Sequence, residues 1–200
     1  MIPFRLADEP PAFEAKCRQP GRKWLAEHPG YDRPKDLWSA FEGDLNKAFN
    51  SMCGWCAMLT MKGQVDHFIP VATLKSTGRD KLAYEWSNFR YIDGWLNQKK
   101  STAEVLDPFA VQVGWFEMLL PSMQLVATKS IPAHFKDLAE FTLERLGLRD
   151  DEVILRYRER WFNMYRNKGL SLDNLRSVAP LIAEAVERDL NTGKDWRNST

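Results

Sequence analysis

"CGWCAMLTMKGQVDHFIP", residues 53–70, sets a Cys-x-x-Cys pair ten residues ahead of an Asp-His step. The alternation in "QVDHFIP" reads as a strand that Pro70 stops, and Gly63 marks a turn, so residues 53–70 are expected to form a hairpin. On a strand, neighbouring side chains leave on opposite faces or diverge at a bulge. Asp66 and His67 would then meet different partners, one holding a metal while the other addresses a substrate. Upstream, "DLWSAFEGDLNKAFN" (36–50) spaces Trp38, Phe41, Leu45, Ala48 and Phe49 as a helical stripe that delivers the chain to Cys53. Downstream, "STGRDKLAYEWSNFRYID" (76–93) reads as a polar loop. A helix is expected from about Trp95 through "LNQKKSTAEVL", ending before "DPF".

Farther out the chain changes character. Residues 1–34 hold six prolines and are expected to wrap irregularly, with a short helix around "AFEAKC". "VGWFEMLLPS" (113–122) is an apolar element broken by Pro121, and "MQLVATKSI" (123–131) reads as strand or extended chain. The last third is helical. "PAHFKDLAEFTLERLGL" (132–148) places Phe135, Leu138, Ala139, Thr142, Leu143 and Leu146 on one face, with Gly147 as terminator. "DDEVILRYRERWFNMYRNKG" (150–169) begins with acids and ends with bases, as a helix dipole favours. "SLDNLRSVAPLIAEAVERDL" (171–190) is capped by Ser171 and kinked or restarted at Pro180. The tail "NTGKDWRNST" (191–200) is expected to fray. This gives an α+β protein with a small strand-containing core at 51–107, a helical and irregular wrap at 1–50 and a helical extension at 108–200, packed as one unit.

Composition sets the class. Of 200 residues 44% are hydrophobic and 28% charged, ordinary for a globular protein, and no apolar run reaches the ~20 residues a bilayer demands. The N-terminus does not read as a signal peptide, and three cysteines make no disulfide framework, so a cytoplasmic location away from membranes is expected. The formal charge of +1 names no polyanionic partner. Locally, Lys62 to Lys100 carries seven bases against four acids, and this +3 bias coincides with the Asp-His step.

Hydrolysing a phosphodiester takes a base for water and a cation on the phosphate and leaving oxygen. Asp66, His67 and Asn97, with Lys99 and Lys100 near a phosphate, supply such parts. Taken together, "VDHFIP", "WSNF" and "WLNQKKS" resemble the HNH nucleases, a ββα-metal module. Asp66 and His67 match its opening pair, Asn88 its middle Asn, Asn97 its closing ligand and Lys100 its trailing Lys. The resemblance covers residues 51–107. It implies His67 as the general base and Asp66 and Asn97 as ligands of one Mg²⁺ (or Mn²⁺) that stabilises the leaving 3′ oxygen. It further implies Asn88 as the residue that fixes the loop and orients His67, Lys99 and Lys100 on nucleic-acid phosphate, and a 5′-phosphate product.

Many HNH proteins add a structural zinc through two Cys-x-x-C pairs. Cys53 and Cys56 match the first, but the second would fall on Asp93 and Leu96, and leucine binds no zinc. Structural Zn²⁺ is therefore not expected; Trp95 and Leu96 would fill that corner, leaving Cys53 and Cys56 as a buried remnant. Arg156, Tyr157, Arg160 and Tyr165 form a row that reads either as a grip on nucleic acid or as a solvated face above an aromatic core. The resemblance implies a metal-dependent endonuclease on DNA, acting in anti-phage defence beside an ABC- or SMC-type ATPase, with a homodimer or a second binding event needed to cut both strands. The alternatives are a free-standing phage or mobile-element nuclease, and a non-catalytic nucleic-acid-binding or scaffold protein on a degenerate HNH core.

Overall fold

The computed structural model describes residues 1–197. Among these residues the protein is α+β and mainly helical, with two two-stranded antiparallel sheets. By packing it divides into two units, residues 4–54 with 60–104, and residues 1–3 with 55–59 and 105–200. The N-terminal wrap and the strand-containing core thus belong to one body, and the Cys-x-x-Cys stretch is shared out, Cys53 to one unit and Cys56 to the other. No helix of the described residues is long and apolar enough to cross a membrane.

In the first unit the expected hairpin over 53–70 is not formed. Residues 53–62 run through turns, and the strand β1 (Gly63–His67) pairs with β2 (Phe89–Asp93), which the sequence reading had placed in a loop. The reason is visible in the burial of "FRYID": four consecutive residues are buried, so β2 shows none of the alternation that marks a half-exposed strand. Gly63 opens β1 because the Tyr91 ring stands where its Cβ would be, within 2.1 Å. Between the strands, residues 68–88 form an excursion that carries a short helix, α3 (Val71–Ser76), and two 3₁₀ turns. β2 then runs straight into α4 (Gly94–Lys100), whose N-terminus is capped by Asp93 accepting from the Trp95 amide at 2.9 Å. α4 stops at Ser101, with φ at +51°, several residues before the expected end.

Two further helices complete this unit. α1 (Gln19–Glu27) continues a π turn over Glu14–Arg18, so the short helix expected around "AFEAKC" is present and runs on through Pro20, where irregular chain was expected. The widened turn lies directly before Pro20, which has no N–H to return to the preceding turn. α2 (Glu42–Ala48) follows a 3₁₀ turn at Ser39–Phe41 and lies against β1 and β2, with Asn46 Nδ2 donating to the Tyr91 hydroxyl at 2.5 Å. Phe13, Phe41, Trp86 and Phe89 form an edge-packed aromatic core.

The second unit follows its sequence closely. β3 (Phe116–Leu119) and β4 (Gln124–Ala127) make a hairpin around Pro121. α5 (Ala133–Arg145) buries Ala139, Thr142 and Leu143 and terminates at Gly147, φ +63°. α6 (Glu152–Arg166) is capped by Asp151, and α7 (Leu172–Val178) by the Ser171 hydroxyl. The chain restarts at Pro180 as α8 (Pro180–Asn191). As far as residue 197 the stretch expected to fray packs onto the helices: Trp196 meets Phe162 edge-on and donates to Asp189, and Arg197 lies over Tyr165. The last three residues of that stretch, 198–200, lie outside the described residues.

Candidate functional site

The register of β1 and β2 sorts the site. Gly63, Val65 and His67 share a face with Phe89 and Tyr91, towards α2 and the aromatic core; Gln64 and Asp66 share the other with Arg90 and Ile92, towards α4. Asp66 and His67 therefore leave β1 on opposite faces.

On the α4 face, Asp66 is buried and held by Lys100, itself fully buried. Lys100 Nζ donates to Asp66 Oδ1 at 3.0 Å and to the His67 backbone carbonyl at 3.0 Å. Asp66 Oδ2 stands equally close, 3.0 Å, yet receives no well-directed hydrogen bond. Burial pushes the Asp66 carboxyl up to about 6, against the pull of Lys100 and, more weakly, of Arg90 opposite it in the sheet. One turn earlier on α4, Asn97 donates from Nδ2 to Gln64 Oε1 at 2.8 Å. Thus the expected metal pair, Asp66 and Asn97, lies along one face, each engaged with a neighbour other than the other. Lys100 turns inward onto Asp66 rather than outward to a phosphate. Lys99 lies over the Trp95 ring at 4.4 Å.

On the opposite face, His67 Nε2 lies 2.9 Å from the Ala83 carbonyl of the excursion. A carbonyl only accepts, so Nε2 carries the proton and Nδ1 is the ring's acceptor. The ring meets Trp38 edge-on at 4.5 Å and Phe89 at 5.2 Å. Burial lowers the imidazole to about 4, against the pull of the Ala83 carbonyl and Asp36, with Lys100 adding to the fall. His67 is therefore neutral at physiological pH. It lines a cleft of about 730 Å³ walled by Arg33, Asp36, Ser39, Glu42 and Gln64.

Asn88 joins the ends of the excursion. Its Oδ1 accepts from the Ile69 amide at 2.8 Å, and its Nδ2 donates to the Ile69 and Leu82 carbonyls, both at 3.2 Å. Because Leu82 adjoins Ala83, this amide fixes the backbone on which His67 hangs.

At the corner where a second cysteine pair would stand, Asp93 caps α4 and accepts from Thr60 at 2.8 Å, while Leu96 is buried. Trp95 is only half-buried, so Leu96 supplies the apolar packing there. Cys53 and Cys56 are buried and neither is in a disulfide. In the helical row, Tyr157 donates to the Leu59 carbonyl, Tyr165 is buried and Arg156 pairs with Glu152, so both tyrosines serve packing.

Sequence reasoning missed Gln64, Trp38 and the Ala83 carbonyl. A backbone acceptor has no side-chain signature; Trp38 was visible only as one position of a helical stripe. Among the described residues no cluster of three or more His, Cys, Asp or Glu side chains is poised for a metal. Comparison with family models, curated proteins and solved structures finds no match to this chain.

Proposed function

We propose that this protein is a metal-dependent phosphodiester hydrolase of the HNH kind acting on DNA, with His67 as its general base. The observation that carries this reading is the state of His67: a neutral imidazole fixed through Nε2 on the Ala83 carbonyl, with Nδ1 as acceptor, lining an open cleft. A general base must be unprotonated and correctly aimed before the reaction begins. Nδ1 takes the proton from water as the water oxygen attacks phosphorus, and the 3′ oxygen departs, leaving a 5′ phosphate. The imidazolium so formed keeps its bond to Ala83, which favours the charged ring. Asn88 holds the excursion in place through that cycle.

Asp66 and Asn97 offer hard oxygen donors on one face, and Asp66 Oδ2 has lone-pair capacity to spare; these residues would hold Mg²⁺ or Mn²⁺. An ion held there would supply Lewis-acid stabilisation of a phosphate oxygen, and a phosphate meeting both it and His67 would have to span the two faces of β1. Asp66 would also have to part from Lys100.

That last condition favours a second reading. The Lys100 ammonium stands 3.0 Å from Asp66 Oδ2, where a cation is called for, and a degenerate, non-catalytic binding module would keep it there. The two separate on supercoiled plasmid with Mg²⁺ or Mn²⁺. The hydrolase reading expects nicking that EDTA abolishes and that His67→Ala lowers by about 10²–10⁴-fold. If the chain is silent alone, the assay is repeated with a co-encoded ABC- or SMC-type ATPase, the partner that the defence setting calls for. Silence there, with no Mn²⁺-dependent thermal stabilisation, favours the degenerate module.

A further inference from the structure

The excursion that orients His67 also builds one wall of a second groove, of about 760 Å³, whose other wall is the end of α1 and residues 29–31. Its floor is half-buried and apolar, with Leu25 and Leu82. Its rim carries four exposed cations, Arg22, Lys75, Arg79 and Lys81. The carboxylate lining it, Asp80, accepts the Tyr31 hydroxyl at 2.6 Å and is oriented by that bond. Local bonds position three of the cations. Arg22 donates to Glu85 at 2.6 Å, Lys75 lies over the Tyr31 ring and donates to the Tyr31 carbonyl, and Arg79 Nε donates to Thr77 Oγ1 at 3.1 Å. Lys81 makes no ion pair among the described residues.

We propose that this groove docks the phosphodiester backbone of a nucleic-acid strand, an occupant taken from the nuclease reading above. Charge complementarity selects it. A nucleic-acid backbone alternates anionic phosphate with apolar sugar face, and the groove offers cations at the rim over an apolar floor. The wall is also continuous with the catalytic candidates: the Leu82 carbonyl accepts from Asn88, and the next carbonyl, that of Ala83, accepts from His67. A strand held on Lys75, Arg79 and Lys81 therefore steadies the backbone on which His67 is hung.

The test is fluorescence anisotropy of labelled single-stranded and duplex oligonucleotides at about 50 mM salt in EDTA, so that no cleavage intervenes. Arg79→Glu with Lys81→Glu should weaken binding more than tenfold. It should also flatten the slope of log K against log salt, by about 1.4 for the single strand and 1.8 for duplex. The single Lys81→Gln should fall between, and Lys129→Glu with Lys136→Glu, in the other unit, should bind as wild type. Unchanged affinity and slope in the groove variant overturn the proposal. So does wild-type protein that fails to bind, or polyglutamate that displaces the probe as well as an equally charged oligonucleotide does, which would mark an acidic protein partner. Plasmid nicking with Mg²⁺, run in parallel, keeps the two claims apart. Nicking with binding indifferent to the charge reversal refutes the groove alone; reversal-sensitive binding with no nicking, either alone or with the ATPase partner, refutes the hydrolase alone.

Discussion

Asp66 and His67 are neighbours in the chain and opposites in the fold. On one face of β1 a carboxylate, an ammonium and a backbone carbonyl close on one another with almost no solvent; on the other an imidazole hangs from a single carbonyl beside an open cleft. Burial acts on both, disfavouring charge, but one group loses charge by gaining a proton and the other by shedding one. Strand alternation thus converts one physical cost into two chemical states: a carboxyl that needs a cation beside it, and a base that is ready without one.

The largest way to disturb this contrast is Lys100→Met. It leaves the Asp66 carboxylate buried without its ammonium and should cost about 3–5 kcal/mol of stability at pH 8 in urea melts, much of it recovered by adding Asp66→Asn. The same variant frees Asp66 for a divalent ion, so Mn²⁺ should raise its melting temperature more than that of wild type; equal shifts would mean that Lys100 does not compete for the site.

Next in size is the opposed titration of the two faces in metal-free protein. His67 is lowered from 6.5 to about 4, so between those values the unfolded chain binds the extra proton and this residue's contribution to stability grows as pH rises. Asp66 is raised from 3.8 to about 6, so over much the same window the folded chain binds the extra proton and its contribution shrinks as pH rises. Each is on the order of 3 kcal/mol, and in wild type they offset. Relative to wild type, His67→Gln should therefore lose stability from pH 4 to 6.5 and Asp66→Asn should gain it from pH 4 to 6. Parallel profiles for the two variants would contradict the assignment.

Smaller effects refine the His67 side. Asn88→Ala strands the Ile69 amide and should cost about 1–3 kcal/mol while slowing nicking, because the Ala83 carbonyl loses its anchor. Asn97→Ala removes a surface bond to Gln64 and should change stability by no more than about 0.5 kcal/mol, yet it should raise the Mg²⁺ concentration that nicking requires.

The helical half was legible because its signals are local: Asp151 and Ser171 as caps, Gly147 as a stop, Pro180 as a restart. The strand half was only partly so. β1 announced itself by alternation, whereas β2, buried on both faces with Arg90 inside, gave no period to read. Its true partner lay beyond a 21-residue excursion, 68–88, and the Cys53–Met61 stretch was mistaken for it. Asp66, His67, Asn88, Asn97 and Lys100 could be singled out from the sequence, whereas Gln64 and Trp38 beside them could not. The states of those five were not legible, since the inward turn of Lys100 and the choice of Ala83 as hydrogen-bond partner arise from packing between segments distant in sequence.

The central claim is that His67 is a neutral, Nε2-protonated base before any ligand arrives. The chain has three histidines, so long-range ¹H–¹⁵N correlation spectra of ¹⁵N-histidine protein, metal-free at pH 7, can be assigned by comparison with His67→Gln. The account predicts a neutral ring with the proton on Nε2, unchanged down to about pH 5. An imidazolium at pH 7, or a proton on Nδ1, would contradict it.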